Sequence, residues 1–330
     1  MTTYLITGGA GFIGSHLAEK LLSLGHQVLA IDDLSTGSRD NIKHLESNKK
    51  FYFIQETALN GAILEELICK ADIICHLAAA VGVKLIINEP IRSINTNFYG
   101  TETVLKIASK YKRKILLAST SEVYGKNDKQ NLKESDDRVL GDTNISRWSY
   151  SCTKALDEFL GFAYYKKENL PVIVVRFFNI CGPRQTGKYG MVIPRFIKAA
   201  LEEKPIPIFG DGSQTRSFTY IDDAVEGIIM LLNNEKAVGE IFNLGAHNGI
   251  TILDLAYKVK EVLKSKSSIE FIPYEKAYEK DFEDMRYRVP NIDKIKNCLG
   301  YSPKIGIEEI IKRTAKFYKE KESAVYHSVR

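Results

Sequence analysis

Several features that would have narrowed the role of this chain are missing. Its five cysteines (Cys69, Cys75, Cys152, Cys181, Cys298) form no C-x-x-C pair, which argues against a zinc ribbon or a disulfide framework and suits a reducing cytoplasm. Six histidines stand apart without metal-ligand spacing, so no metal is expected, and no Ser–His–Asp arrangement is legible. No apolar run approaches the roughly 20 residues needed to cross a bilayer. No basic stretch precedes an apolar core at the N-terminus, so no secretory leader and no membrane partner are expected. Lys and Arg outnumber Asp and Glu by 46 to 41, yet no basic block is interleaved with aromatics. The lysines scatter along helix faces, as at Lys258, Lys260 and Lys264, which argues against a nucleic-acid partner. A local positive surface would suit a small anionic substrate instead. Internal repeats and low-complexity tracts are absent. What is present is an ordinary composition, 44% hydrophobic and 26% charged over 330 residues, enough to bury a large α/β core.

The most informative stretch is Tyr4-Leu5-Ile6-Thr7-Gly8-Gly9-Ala10-Gly11-Phe12-Ile13-Gly14. An apolar strand runs into glycines three apart and then into a helix. Gly8 permits a tight turn, Gly11 lets backbone approach a pyrophosphate, and Gly14 lets the helix pack close to the sheet. The N–H groups over residues 10–15, Phe12 and Ile13 among them, favour a bound phosphate. The next apolar run, Val28-Leu29-Ala30-Ile31, ends in Asp32-Asp33. A carboxylate there accepts hydrogen bonds from an adenosine ribose and repels a 2′-phosphate, so NAD is expected rather than NADP.

Apolar strands at 4–7, 27–31, 51–55, 73–77, 114–118 and 172–177 alternate with helical patterns at 13–24, 62–68, 96–110 and 151–168. The alternation predicts an α/β fold, a doubly wound parallel sheet with helices on both faces. Residues 126–147 read as a long polar loop. Beyond Phe178, glycine and proline punctuate a less regular texture. We expect a dinucleotide-binding domain over 1–180, with 219–245 returning to it as a helix and a short strand. Segments 181–218 and 246–330 would form a smaller, discontinuous C-terminal substrate lobe.

Tyr150 and Lys154 lie four residues apart, one turn along a helix face. A phenol with a pKa of about 10 is a poor base. A neighbouring ammonium, with a positive nicotinamide ring, would hold it below that value and make it a proton shuttle for a sugar hydroxyl. The apolar run Ile115-Leu116-Leu117-Ala118 ends in Ser119-Thr120-Ser121-Glu122. Thr120 can hydrogen-bond the oxygen that Tyr150 deprotonates, and Glu122 can move a proton at a second carbon. The bland alternatives are strand-end capping for the hydroxyls and a solvated turn for Glu122.

With these segments in order, the chain resembles the extended short-chain dehydrogenase/reductase family that modifies nucleotide sugars. The likeness covers nearly the whole length. It includes Gly8-x-x-Gly11-x-x-Gly14, His76-Leu77-Ala78-Ala79, Asn95-Thr96-Asn97, Tyr150-x-x-x-Lys154, Arg176-Phe177-Phe178-Asn179 and Gly212-Ser213-Gln214-Thr215-Arg216. The resemblance implies Rossmann topology and NAD that stays bound and is regenerated within each turnover. It also implies oxidation at sugar C4. It implies that Tyr150 is the acid/base, Lys154 its electrostatic partner and a ribose ligand, and Thr120 the positioning hydroxyl. It adds Leu77, Ala78, Ala79 and Asn97 to the cofactor site, and Ser121, Asn179, Arg216 and Arg288 to the substrate site. Arg184 either faces a sugar carboxylate or caps its loop. The apolar stripe Leu156, Phe159, Leu160 and Ala163, with the 96–110 helix, resembles the family's dimer seam, so a homodimer is expected; burial within the subunit would give the same stripe.

The Thr-Ser-Glu at 120–122 resembles UDP-glucuronate decarboxylases and GDP-mannose 4,6-dehydratases, whereas simple 4-epimerases usually lack the carboxylate. The Gly-Ser-Gln-Thr-Arg at 212–216 looks more like the decarboxylases. Segment 184–192 and Ser151-Cys152-Thr153 depart from the usual decarboxylase pattern. The expected reaction is decarboxylation of a UDP-hexuronate, with UDP-sugar 4-epimerisation and then 4,6-dehydration as alternatives. A catalytically silent NAD-binding scaffold is the reading outside enzymes.

Overall fold

The computed structural model describes residues 1–188, 190–277 and 283–328. The apolar runs near the N-terminus become β1 (Thr3–Thr7), β2 (Gln27–Ile31), β3 (Phe51–Ile54), β4 (Ile73–His76), β5 (Lys114–Thr120) and β6 (Val172–Phe177). With the strand Ile241–Leu244 they form one seven-stranded parallel sheet. Its order is Ile241–Leu244, β6, β5, β4, β1, β2, β3. Their near-continuous apolar sequence follows from burial on both faces.

Helices α1 (Phe12–Ser23), α2 (Gly61–Lys70), α3 (Val83–Asn88), α4 (Pro90–Lys110) and α5 (Arg147–Glu168) connect the strands. Leu64, Leu67, Val104 and Leu105, from α2 and α4, cover one face of the sheet together with Leu117 and Val174. The other face buries Leu17 and Leu21 of α1 with Ile228 and Leu231 of the helix Ile221–Leu232. That second core continues without a break into Phe196 and Leu255, beneath the strands that follow.

Two helices start earlier than the apolar pattern shows. The 96–110 helix begins at Pro90, where proline's fixed φ and missing N–H suit the first turn. The 151–168 helix begins at Arg147, so Tyr150 sits within its first turn. The polar loop before it is fastened by a bridge from Gly125 to Val139 and another from Leu132 to Pro290.

Past the sheet, Thr215–Ser217 pairs antiparallel with Gly249–Thr251 and parallel with Tyr287–Arg288. In that second pairing Arg216 lies opposite Arg288. Partners in register share a face, so both guanidiniums leave this small sheet on the same side.

Candidate active site

The strands end at a cleft of about 1250 Å³, room for two extended ligands end to end. Its first half is made from backbone. Gly8 has φ +73°, and a Cβ there would meet Ala78 N at 2.9 Å. A Cβ on Gly14 would stand 2.1 Å from Gly8 O. No side chain among the described residues caps the N-terminus of α1, and Phe12, Ile13 and Gly14 line the cleft with Gly8 and Gly11. This cradle, which any added carbon would fill, fits a dinucleotide pyrophosphate.

Asp32 is buried, and its carboxylate accepts from Ala10 N at 3.0 Å and Leu34 N at 2.8 Å. Burial pushes its pKa up, against those two backbone donors. Spare lone pairs remain for ribose hydroxyls. Asp33 is exposed and accepts from Ser35 N at 2.9 Å, capping its own turn. Leu77, Ala78 and Ala79 line the cleft. Asn97 does not: its amide grips the backbone of Ala80, accepting from N at 2.7 Å and donating to O at 3.3 Å. It braces the wall that Ala80 lines.

Tyr150, Thr120 and Lys154 all line the cleft. The register that brings them together has visible causes. Ser151 Oγ donates to Glu122 O at 2.7 Å. Glu158 of α5 takes a bidentate Arg176 of β6 at 2.8 and 2.7 Å, and Ser119 Oγ at 2.5 Å. The Thr120 hydroxyl bonds to the Tyr150 phenol. Lys154 Nζ donates to Asp157 Oδ2 at 2.8 Å. The phenol itself is raised above the usual tyrosine value, by burial and then by Glu122 and Asp157; Thr120 and Arg288 oppose this without prevailing. The side chains alone therefore do not supply the lowered phenol that the Tyr–Lys spacing suggested, because burial raises it and Glu122 and Asp157 add to the rise.

The second half is made from charge. Arg216 Nη2 and Arg147 Nη2 each lie 3.0 Å from Asp284 Oδ1. Arg147 Nη2 is also 3.4 Å from Glu122 Oε2, and Arg288 Nη1 is 2.6 Å from Glu122 Oε1. Five side chains thus alternate in sign: Arg216, Asp284, Arg147, Glu122, Arg288. Burial pushes Glu122 up, but Arg147 and Arg288 outweigh it and hold the carboxyl below its usual range. Asp284 is lowered in the same way, Arg216 and Arg147 overcoming burial. Burial, with the neighbouring Arg288 and Arg147, brings Arg216 down to about 10 despite Asp284. Glu122 is therefore a paired carboxylate inside the cleft and not a solvated turn residue.

Asn179, at φ +41°, donates to Ser217 O at 2.7 Å and accepts from Arg288. Ser121 is buried and lines the cleft. Arg184 lines it too, but its guanidinium is drawn back onto α1, 2.5 Å from Glu19 Oε2 and 3.4 Å from Ser15 Oγ. That places it beside the dinucleotide half. Tyr189 of the neighbouring loop lies outside the described residues. The sequence reading missed Arg147, Asp157 and Asp284. Arg147 and Asp157 stand three residues before Tyr150 and three after Lys154, helical spacings that were there to be read.

Comparison with known proteins gives a consistent result. The family profile described as GDP-mannose 4,6 dehydratase matches residues 5–314. The chain is 42% identical over 320 residues to a UDP-N-acetyl-alpha-D-glucosaminuronate decarboxylase of Bacillus cytotoxicus, covering 97% of this chain and 98% of that protein. It is 37% identical to UDP-glucuronic acid decarboxylase 1 of Arabidopsis thaliana, over 94% of this chain and 68% of that one. Among solved structures, UDP-glucuronic acid 4-epimerase of Bacillus cereus, in complex with UDP-glucuronic acid and NAD, superposes with a TM-score of 0.87 at 31% identity, covering 97% of this chain and 99% of that one.

Proposed function

The chain belongs to the extended short-chain dehydrogenase/reductase family of nucleotide-sugar epimerases, dehydratases and decarboxylases, and we propose that it decarboxylates a UDP-linked hexuronate. It is an NAD-dependent enzyme acting through transient oxidation at sugar C4. The observation that carries the substrate assignment is the charge at the far end of the cleft. Three guanidiniums face two carboxylates there, leaving a buried surplus of positive charge for a diphosphate and a sugar acid. The 42% identity to a UDP-uronate decarboxylase supports the same reading.

In this reading Gly8, Gly11, Phe12, Ile13, Gly14, Asp32, Leu77, Ala78 and Ala79 hold NAD, with Asp33 and Asn97 supporting that wall. The chemistry supplied by bound NAD is acceptance of a hydride from sugar C4 and, later, its return. Tyr150 takes the proton of the C4 hydroxyl while Thr120 fixes the oxygen and Lys154 stabilises the phenolate. A ketone at C4 makes the C6 carboxylate a β-keto acid. Carbon dioxide then leaves, and the electron pair left at C5 spreads onto O4, where Thr120 and the reprotonated Tyr150 donate to it. A proton added at C5 completes the exchange. Glu122 enters this sequence ionised, so it accepts or relays that proton through water before it can donate one. Arg216 and Arg288 bind the diphosphate, and Asn179 and Ser121 line the sugar.

Residues 1–180 with 219–245 act as the cofactor domain, and 181–218 with 246–330 as the substrate lobe. Leu156 and Phe159 of α5 are 47% and 59% exposed, and Ile91 and Tyr99 of α4 are exposed beside them, an apolar face suited to a homodimer seam. No helix among the described residues is long and apolar enough to cross a membrane. The free thiols suit a reducing cytoplasm.

Incubation with UDP-glucuronate and with its 2-acetamido analogue, read by mass spectrometry, tests the reaction. Loss of carbon dioxide from either is the expected result. An isobaric product would replace decarboxylation with 4-epimerisation, the reading favoured by the UDP-glucuronic acid 4-epimerase superposition. No turnover of any UDP-hexuronate would point to neutral hexoses.

A further inference from the structure

Lys154 reaches the cleft already engaged. Its Nζ and Asp157 Oδ2 are 2.8 Å apart, and the two side chains are 4% and 2% exposed. The pair spans three residues of α5, so one face of that helix carries phenol, ammonium and carboxylate in succession. Thr101 of α4 adjoins the carboxylate from behind, and His76 Nε2 of β4 lies 3.2 Å from the Thr101 hydroxyl. His76 Nδ1 in turn meets Thr7 Oγ1 at 2.8 Å, and that oxygen accepts from Ala78 N at 3.2 Å. A line of polar groups thus runs behind the cofactor wall to Lys154. Burial and the Lys154 charge depress His76 to about 3, so it stays neutral and adds no charge.

A buried ion pair is costly to desolvate, and an apolar residue at position 157 would pack against α4 more cheaply. The groups facing Tyr150 are Thr120 at the end of β5, Glu122 just beyond it, Arg288 from the Tyr287–Arg288 strand, and Asp157 on its own helix. Arg147 faces Glu122, and Glu158, next to Asp157, is occupied by Arg176. Glu122 is matched by Arg147 and Arg288 together. Asp157 is matched by Lys154 alone, the cation on which the phenolate depends.

We propose that Asp157 is a positioning residue that sets the pH at which Tyr150 releases its proton, holding the Lys154 ammonium toward α4 and offsetting its charge. The proposal rests on Tyr150 and Lys154 acting as the pair described above. It keeps the phenol protonated at neutral pH until the positive nicotinamide ring is in place. Removing the negative charge leaves Lys154 fully effective, so phenolate forms at lower pH.

The test is an ultraviolet titration of tyrosinate in the NAD-loaded protein without sugar, taken as the difference from the same protein carrying Tyr150→Phe. With Asp157→Asn the Tyr150 midpoint should fall by about one pH unit or more, and the acid limb of the pH–turnover profile should move the same way. Asp157→Glu should keep the wild-type midpoint. An unchanged midpoint in Asp157→Asn overturns the proposal. If that variant does not fold, Asp157→Leu removes the charge at similar volume and is read identically. The titration needs no sugar, so failure of the substrate assignment leaves it intact. Absence of any Tyr150-dependent titration in the wild-type protein would instead remove the acid/base pair, and this proposal with it.

Discussion

At the cofactor end of the cleft the chain presents backbone: Gly8 at φ +73°, Gly14 against Gly8 O, and first-turn N–H groups of α1. At the sugar end it presents side-chain charge, with Arg216, Asp284, Arg147, Glu122 and Arg288 alternating in sign. The first end comes from one continuous stretch of chain. The second gathers Glu122 from the turn after β5, Arg147 from α5, Arg216 and Arg288 from two strands beyond the sheet, and Asp284 from the segment before the second of them. A site made from backbone cannot accept added atoms, because what it offers is space and N–H direction. A site made from paired charges changes its balance when it loses one, because the remaining partners are left buried and uncompensated.

Substitutions at each end should separate the two. The largest effect belongs where they meet. Tyr150→Phe should lower turnover by about 10²–10⁴-fold while NAD affinity by calorimetry stays within a few-fold; a large loss of NAD binding would make the phenol part of the cofactor cradle. Next comes Gly14→Ala, whose methyl would stand 2.1 Å from Gly8 O. Overpacking of this kind costs about 1–3 kcal/mol, so NAD affinity should fall by about tenfold or more. Unaltered NAD binding would show that the cradle can yield. The smallest effect is expected of Asp284→Asn. It frees Arg147 and Arg216 from their shared carboxylate and should change KM for the sugar nucleotide about tenfold, with kcat and NAD affinity nearly constant. A matching loss of NAD affinity would join the two ends into one site.

The same contrast explains what could be read beforehand. The glycine turn and the placement of Asp32 were legible because both follow from local backbone geometry. The strands were legible because burial on both faces leaves apolar runs such as Val172–Phe177. The helix that carries Tyr150 was read four residues short, since Arg147 sits at the end of a polar loop and breaks the apolar rhythm. Asp157 falls within what reads as the polar side of an amphipathic helix, and only the packing of α4 against α5 buries it. Asp284 carries no local signal at all: its meaning comes from two arginines 137 and 68 positions away in sequence. Asn97 shows the converse, a motif residue whose position is legible in sequence and whose grip on the Ala80 backbone is not.

The central claim is that sugar C4 is oxidised and restored within one binding event, with Tyr150 handling the hydroxyl proton. Its most direct test uses UDP-glucuronate, or whichever UDP-hexuronate is turned over, carrying deuterium at C4. The expected product has lost carbon dioxide and retains the deuterium at C4 in full, even with excess unlabelled NAD in solution. Deuterium that leaves with released, reduced cofactor, or a decarboxylated product in which C4 carries only solvent-derived hydrogen, would contradict it.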